Sequence, residues 1–331
     1  MSTLLKPTIS DAFWFEDGNI VLIAANVAFK VHRGQLSRHS EVFEDMFQLP
    51  QPPAGADLMY DGTPFVNLHD SAQDFAYFLG ALYDGLYFVE TSASDFACIS
   101  AVLRLSTKYL FEHLRVQCMA RLTQDWPTTL AGWDRREQQA TDENERYLPR
   151  ERICHPIHII SLSIELGLTE FLPSAFYDLC RYGPSKIVAG CPSLYDTSSV
   201  VTLSTDLLRR ILRGRETGQQ FTARFILEEI QGSTPSNDCS NPDLCARAFY
   251  YITLNSLRAV SGITYGREAD PLFTLTQAMC MPERNDFSDG LKQCELRMCG
   301  TCKAEFIDIC TKARVQVWDL LGTWFGSGGC L

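Results

Sequence analysis

The residues best suited to chemistry lie near the C-terminus. Cys294, Cys299 and Cys302 follow a C-x4-C-x2-C spacing, with Cys310 beyond. Four thiolates in a tetrahedral array hold a structural zinc ion, and Cys239 with Cys245 offers a second pair of donors. Against this, C-x-x-C pairs recur by chance in a chain with 13 cysteines, and the second pair lacks the spacing of a zinc ribbon. Inside one long helix Cys299 and Cys302 share a face, with Cys310 approximately in line. Buried helical cysteines acting as small hydrophobes account for the same pattern. The expectation is therefore buried thiols and no cofactor, with a structural zinc on Cys294, Cys299, Cys302 and Cys310 as the alternative. No thioredoxin-like strand–turn–helix surrounds the pair to support a redox role.

Other chemistries find less. Of the six histidines (His32, His39, His69, His113, His155 and His158), His155 and His158 share a helix face, but no Glu stands between them as a zincin needs. No G-x-S-x-G elbow, phosphate loop or dinucleotide fingerprint is present, and Gly326–Gly329 has no following helix to cradle a phosphate. No enzyme and no small-molecule substrate are expected. The densest basic cluster is Arg209, Arg210, Arg213 and Arg215. It reads as a solvated helix face paired with local acids, or as a dock for an acidic segment. With a net charge of −11, phosphate neutralisation on nucleic acid is not expected, nor attraction to an anionic membrane. No run of about 18 apolar residues and no signal-peptide pattern occur, so an intracellular chain with reduced thiols is expected, cytoplasmic or nuclear.

The elements that must position these groups come in two styles. Residues 19–24 and 27–32 read as a β-hairpin across Ala25-Asn26, the second strand alternating Val27, Phe29 and Val31 against Ala28, Lys30 and His32. Ser40 caps a helix over 41–48 that presents Phe43, Met46 and Phe47 on one face. A Pro/Gly-rich loop over 50–62 leads to a strand over 63–68. A helix then starts at Asp70, with Gln73 as its capping-box partner, carries Phe75, Phe78, Leu79, Leu82 and Tyr83 on one stripe, and stops at Gly85. Helices over 94–107 and 111–125 follow. Residues 127–152, charged and poor in aliphatics, read as a solvated linker or exposed helix. Beyond it the pattern is helical over 156–166, 173–182, 206–213, 221–230, 242–261 and 291–321, with 326–331 as a flexible tail.

The first part resembles the BTB/POZ fold in order and in residues. Asp17-Gly18-Asn19-Ile20-Val21-Leu22 looks like that family's opening strand. Phe29-Lys30-Val31-His32-Arg33-Gly34-Gln35-Leu36 looks like its F-x-x-H-(K/R)-x-x-L segment, followed by Ser37, Ser40, Phe43, Met46 and Phe47. Phe78-Leu79-Gly80-Ala81-Leu82-Tyr83-Asp84-Gly85 and Leu105–Tyr109 resemble two of its helix ends. The whole chain resembles fungal BTB proteins with a helical C-terminal region, through Leu207–Glu216 and Trp318–Leu321. The resemblance implies an α+β domain over 12–126, a short mixed sheet flanked by helices, then a mainly α-helical domain over 153–325. It further implies a protein-interaction adaptor that pairs as a homodimer around Phe13, Trp14, Phe15 and the first helix. A cullin-type ubiquitin-ligase scaffold would be met by Ser37–Met46 and the two helices after Leu86. The site expected on this ground is Phe13, Trp14, Phe15, Ser37, Phe43, Met46 and Phe47. The three aromatics cap the domain's own core or form a patch for a partner. The alternatives are a transcription-linked or other self-assembling scaffold and a zinc-stabilised helical domain with its own ligand.

Overall fold

The computed structural model of the chain describes residues 6–49, 59–87, 92–144, 146–260, 266–283, 287–288, 293–294 and 296–326. The chain divides into two compact units, 1–125 with 140–154 and 126–139 with 155–331.

The first unit is a mixed sheet flanked by helices. Its strands β1 (Thr8–Trp14), β2 (Ile20–Ala24), β3 (Val27–Val31), β4 (Met59–Tyr60) and β5 (Thr63–Leu68) lie in the order β1-β3-β2-β5-β4. The β2–β3 hairpin is antiparallel, while β1 runs parallel to β3 and β5 parallel to β2. Every residue of β2 is buried, as suits a central strand covered on both faces. Helices α1 (Arg33–His39), α2 (Glu41–Gln48), α3 (Ala72–Tyr83), α4 (Asp95–Lys108) and α5 (Glu112–Asp125) supply the core. Phe29 meets Phe75 edge-on, with ring centroids 5.3 Å apart, and Phe78 meets Phe111 at 4.8 Å. Ser40 caps α2 by accepting from the Phe43 N–H, as its position before the apolar face predicts. On α3 the cap is Ser71, which accepts from the Asp74 N–H, rather than Asp70 with Gln73. Asp70 instead takes the Tyr109 hydroxyl and the Lys108 ammonium. Burial, and next the bond to Asp70, push the Tyr109 phenol well above its usual value.

The stretch expected as a solvated linker is not one. Helix α6 (Leu130–Gln139) belongs to the second unit, where Trp133 and Arg136 are buried. The chain then returns to the first unit for residues 140–154, including the single turn α7 (Pro149–Arg152), and leaves it at His155. Arg136 and Glu137 of α6 enter internal ion pairs, while Asp134 and Arg135 face outward, so one face of this charged helix is buried and the other exposed.

The second unit is helical: α8 (Pro156–Leu166), α9 (Leu172–Cys180), α10 (Pro184–Ala189), α11 (Thr205–Phe225), α12 (Pro242–Val260), α13 (Pro271–Cys280) and α14 (Gly300–Trp324). Two-residue ladders β6 (Cys191–Pro192) with β7 (Val200–Val201), and β8 (Phe287–Ser288) with β9 (Gln293–Cys294), join some of them. The two helices expected over 206–213 and 221–230 are one. It runs from Thr205 to Phe225 and continues through a π-helical turn to Ile230. Its glycines are packing devices, not breakers. A Cβ at Gly214 would stand 2.0 Å from the Phe325 ring, and one at Gly218 3.3 Å from Trp324. Helix α14 starts at Gly300, later than the expected 291, because residues 293–294 pair as a strand. Of the expected tail, residues 327–331 lie outside the described residues, as do 50–58 of the expected loop.

The core of this unit holds an ionic network. Arg136 bonds Asp178 at 2.8 Å and Glu137 at 3.0 Å, and its guanidinium lies over the Trp133 ring. Arg181 bonds Glu137 at 2.8 Å, Asp178 at 3.3 Å and Asp270 at 3.0 Å. Asp270 also caps α13 through the Phe273 N–H and accepts from the buried Tyr177 hydroxyl at 2.9 Å. Two guanidinium groups thus face three carboxyls; both arginines, Asp178 and Asp270 are buried, and Glu137 is partly exposed. Burial raises the Asp270 carboxyl to about 6, with Glu137 adding to the rise and Arg181 opposing it.

Candidate functional site

The structure regroups the cysteines. The Sγ atoms of Cys239, Cys245, Cys299 and Cys302 all lie within 4.8 Å of one another. The Cys239 and Cys299 sulfurs are 3.6 Å apart. Of the set expected for zinc, Cys299 and Cys302 are in this cluster. Cys310 lies two turns further along α14, fully buried and apart from it, and the side chain of Cys294 lies outside the described residues. Cys299 is not inside a helix but at the cap of α14, where its sulfur accepts from the Cys302 N–H. Cys245 stands in the first turn of α12, and Cys239 in the turn that precedes it, closed by the Cys239 N–H to Ser236 O bond. Main-chain donors converge on the sulfurs: the Cys299 N–H on Cys245 at 3.2 Å, the Ser236 N–H on Cys302 at 3.3 Å, the Cys302 N–H on Cys299 at 3.4 Å. The N–H groups of Cys302 and Ser240 draw the Cys299 thiol down to about 6, while burial pushes Cys302 up to about 12.

Of the remaining expected site residues, Phe13, Trp14 and Phe15 lie at or just after an edge strand of the first sheet. Strand β1 lies at that edge and pairs, among the described residues, only with β3. Phe13 and Trp14 of β1, with Phe15 just past its end, divide between the faces by the alternation of an extended chain. The Phe13 ring lies over Gly80 of α3, and Phe15 packs on His32 and Tyr83 with centroids 5.1 and 4.8 Å away. Trp14 turns to the other face, where it joins Tyr60 and Phe65 on a cluster of Val21, Ile23 and Ala28. All three are half-buried, so they cap their own core and still offer surface. His32 is held by side chains rather than by backbone: its Nε2 meets Asp17 at 3.1 Å and its Nδ1 the Tyr83 hydroxyl at 3.0 Å. The bond from His32 holds the Asp17 carboxyl below its ordinary value.

On α1, Ser37 is half-buried and its hydroxyl donates to the Arg33 carbonyl. On α2, Met46 is half-buried, but Phe43 and Phe47 are core residues. Phe43 stacks near Tyr109 at 4.7 Å and Phe111 at 6.1 Å and is 0 % exposed, so it cannot touch a partner directly. The exposed face of α2 is acidic instead, with Glu41, Glu44 and Asp45 outward. The signal for this was present: those three positions lie opposite the Phe43/Phe47 stripe at helical spacing.

The BTB/POZ domain family matches residues 16–125, about a third of the chain. Residues 16–125 form a BTB/POZ domain. No curated protein and no solved structure matches the chain. BTB/POZ is a protein-interaction family, not an enzyme family, and the domain supports a protein–protein interaction or adaptor role. No described helix is long and apolar enough to cross a membrane. Within the BTB domain, the surface missed at the level of residues is the apolar one on α5 and its approach, where Leu110 and Val116 are exposed. Leu110 does so from a left-handed backbone position, φ 57°, which no hydrophobic pattern signals. In the second unit, the basic cluster is partly tied down. Arg210 donates to the carbonyls of Phe325 and Gly326, Arg215 to that of Cys180, and Arg209 pairs with Asp206 at the surface.

Proposed function

We propose that the chain is an adaptor that self-pairs along the β1 edge of its BTB domain and offers α2 and α5 to a cullin-type scaffold. The observation that carries the pairing is the composition of that edge. An unpaired strand side is a template for another strand, and here it bears Ile9, 42 % exposed, beside three half-buried aromatics. BTB domains commonly self-associate, which agrees with this choice of surface. The scaffold contact rests on family likeness, supported by half-buried Met46 among Glu41, Glu44 and Asp45 and by exposed Val116 on α5. An apolar centre with a charged rim is the usual anatomy of a specific, non-obligate interface.

The test is a binding titration of the full-length chain against the N-terminal domain of a cullin-type scaffold, by calorimetry. Saturable binding is expected, with affinity reduced at least about tenfold, about 1.4 kcal/mol, in Met46→Asp. No binding by a folded wild-type chain would remove the scaffold from this reading and leave the self-pairing to be judged by solution mass.

A further inference from the structure

We infer that Cys239, Cys245, Cys299 and Cys302 form a structural zinc site that ties the start of α12 to the start of α14. Geometry carries it. A zinc–sulfur distance of about 2.3 Å in a tetrahedron places sulfurs about 3.8 Å apart. The four sulfurs here lie within 4.8 Å of one another, the Cys239–Cys299 pair at 3.6 Å. Cysteines that merely fill a core are dispersed, as Cys118, Cys154 and Cys310 are in this chain, and each is a buried free thiol outside the cluster. The sulfurs of the cluster are also acceptors. The N–H groups of Ser236, Cys299 and Cys302 donate to three of them, an arrangement that serves thiolates and orients ligands around a metal.

The electrostatics suit the same ion. Cys245 lies in the first turn of α12, and Cys299 and Cys302 at the cap and first turn of α14, so two long helices direct their positive ends at the cluster. When Zn²⁺ binds, each thiol gives up its proton to solvent and four thiolates with one Zn²⁺ carry a net −2. The helix ends and main-chain donors offset that charge. An all-sulfur tetrahedral shell leaves no open position, which makes the site structural rather than catalytic. The ligands come from segments 54 and 60 residues apart in sequence, so the ion crosslinks the unit much as a disulfide would in an oxidising compartment.

The experiment is metal analysis of the untagged full-length protein purified without added metal, by inductively coupled plasma mass spectrometry. About one zinc per chain is expected. Cys299→Ser should lose it and Cys310→Ser, a buried cysteine of the same helix, should keep it. Should Cys299→Ser not fold, the wild-type protein decides. A mercurial thiol reagent should release its zinc, and Co²⁺ exchange should give the ligand-field absorption of tetrahedral tetrathiolate cobalt. A folded wild-type chain with no zinc and no such cobalt spectrum overturns the proposal. So does a disulfide among the four cysteines, or iron in place of zinc.

Discussion

The two units solve the problem of a stable interior differently. The BTB domain is built on aromatic packing: Phe29, Phe43, Phe75, Phe78 and Phe111 are all essentially inaccessible and touch in a chain of ring pairs. The second unit also has an apolar core, but it places two arginines, two carboxyls and a tyrosine inside it with a third carboxyl at its margin, and gathers four thiols in one cluster. Apolar packing tolerates substitutions of similar volume, whereas a buried charge network fails when one member is removed, because the partner remains desolvated and unpaired. The difference predicts opposite responses to conservative change in the two units.

The largest effect is expected in the network. Asp178→Asn removes one carboxylate from between Arg136 and Arg181, and should destabilise the second unit by about 3–5 kcal/mol. Urea denaturation followed by tryptophan fluorescence reads this unit well, since Trp126, Trp133, Trp318 and Trp324 belong to it and only Trp14 to the first. In the BTB domain, Phe43→Leu should cost no more than about 1.5 kcal/mol, because it keeps an apolar side chain at a site walled by Phe47, Tyr109 and Phe111. An equal loss for the two variants would erase the contrast.

Asp270→Asn sharpens it. The folded-state carboxyl sits near 6, above its ordinary 3.8. Between those values the folded chain holds a proton that the unfolded chain has released. Its contribution to stability therefore falls as pH rises from about 4 to about 6 and is flat outside that window. The asparagine keeps Asp178, the carboxylate that bridges both guanidinium groups, and preserves an N-cap. It should be milder than Asp178→Asn at pH about 7, and the fall across that window should shrink in denaturation curves recorded at its two ends. Within the BTB domain the counterpart is Tyr83→Phe, which strips two hydrogen bonds from His32 and should cost about 1–2 kcal/mol. Smallest of all, Arg209→Ala should change stability by less than about 0.5 kcal/mol, its pair with Asp206 being surface-exposed on both sides.

The same contrast explains what was legible in the sequence. In the BTB domain the informative contacts are local or periodic. Alternation along Val27–Val31, the Ser40 cap, and the Phe75–Leu82 stripe each announce an element and its buried face. Strand β1 had no expectation in the sequence, and its aromatics could not be assigned to faces, since that depends on its irregular parallel pairing to β3. In the second unit the deciding contacts are distant. Arg136 finds Asp178 across 42 residues and Cys299 finds Cys245 across 54, so charge on α6 read as solvation and the thiols as helix filler. Residues 206–213 and 221–230 read as two helices, and the rings that pack on Gly214 and Gly218 in the joined helix, Phe325 and Trp324, lie at the far end of the chain. The Trp133/Arg136 pair on one face of α6 was the local hint that this helix is buried.

The central claim is that the β1 edge of the BTB domain pairs two chains, and its most direct test is the solution mass of the full-length protein by light scattering. The account predicts twice 37.3 kDa for the wild type, and a shift to 37.3 kDa in Ile9→Lys, which places a charge on the exposed edge without touching the core. A wild-type chain that stays at 37.3 kDa across the accessible concentration range, or a dimer indifferent to Ile9→Lys, would contradict it.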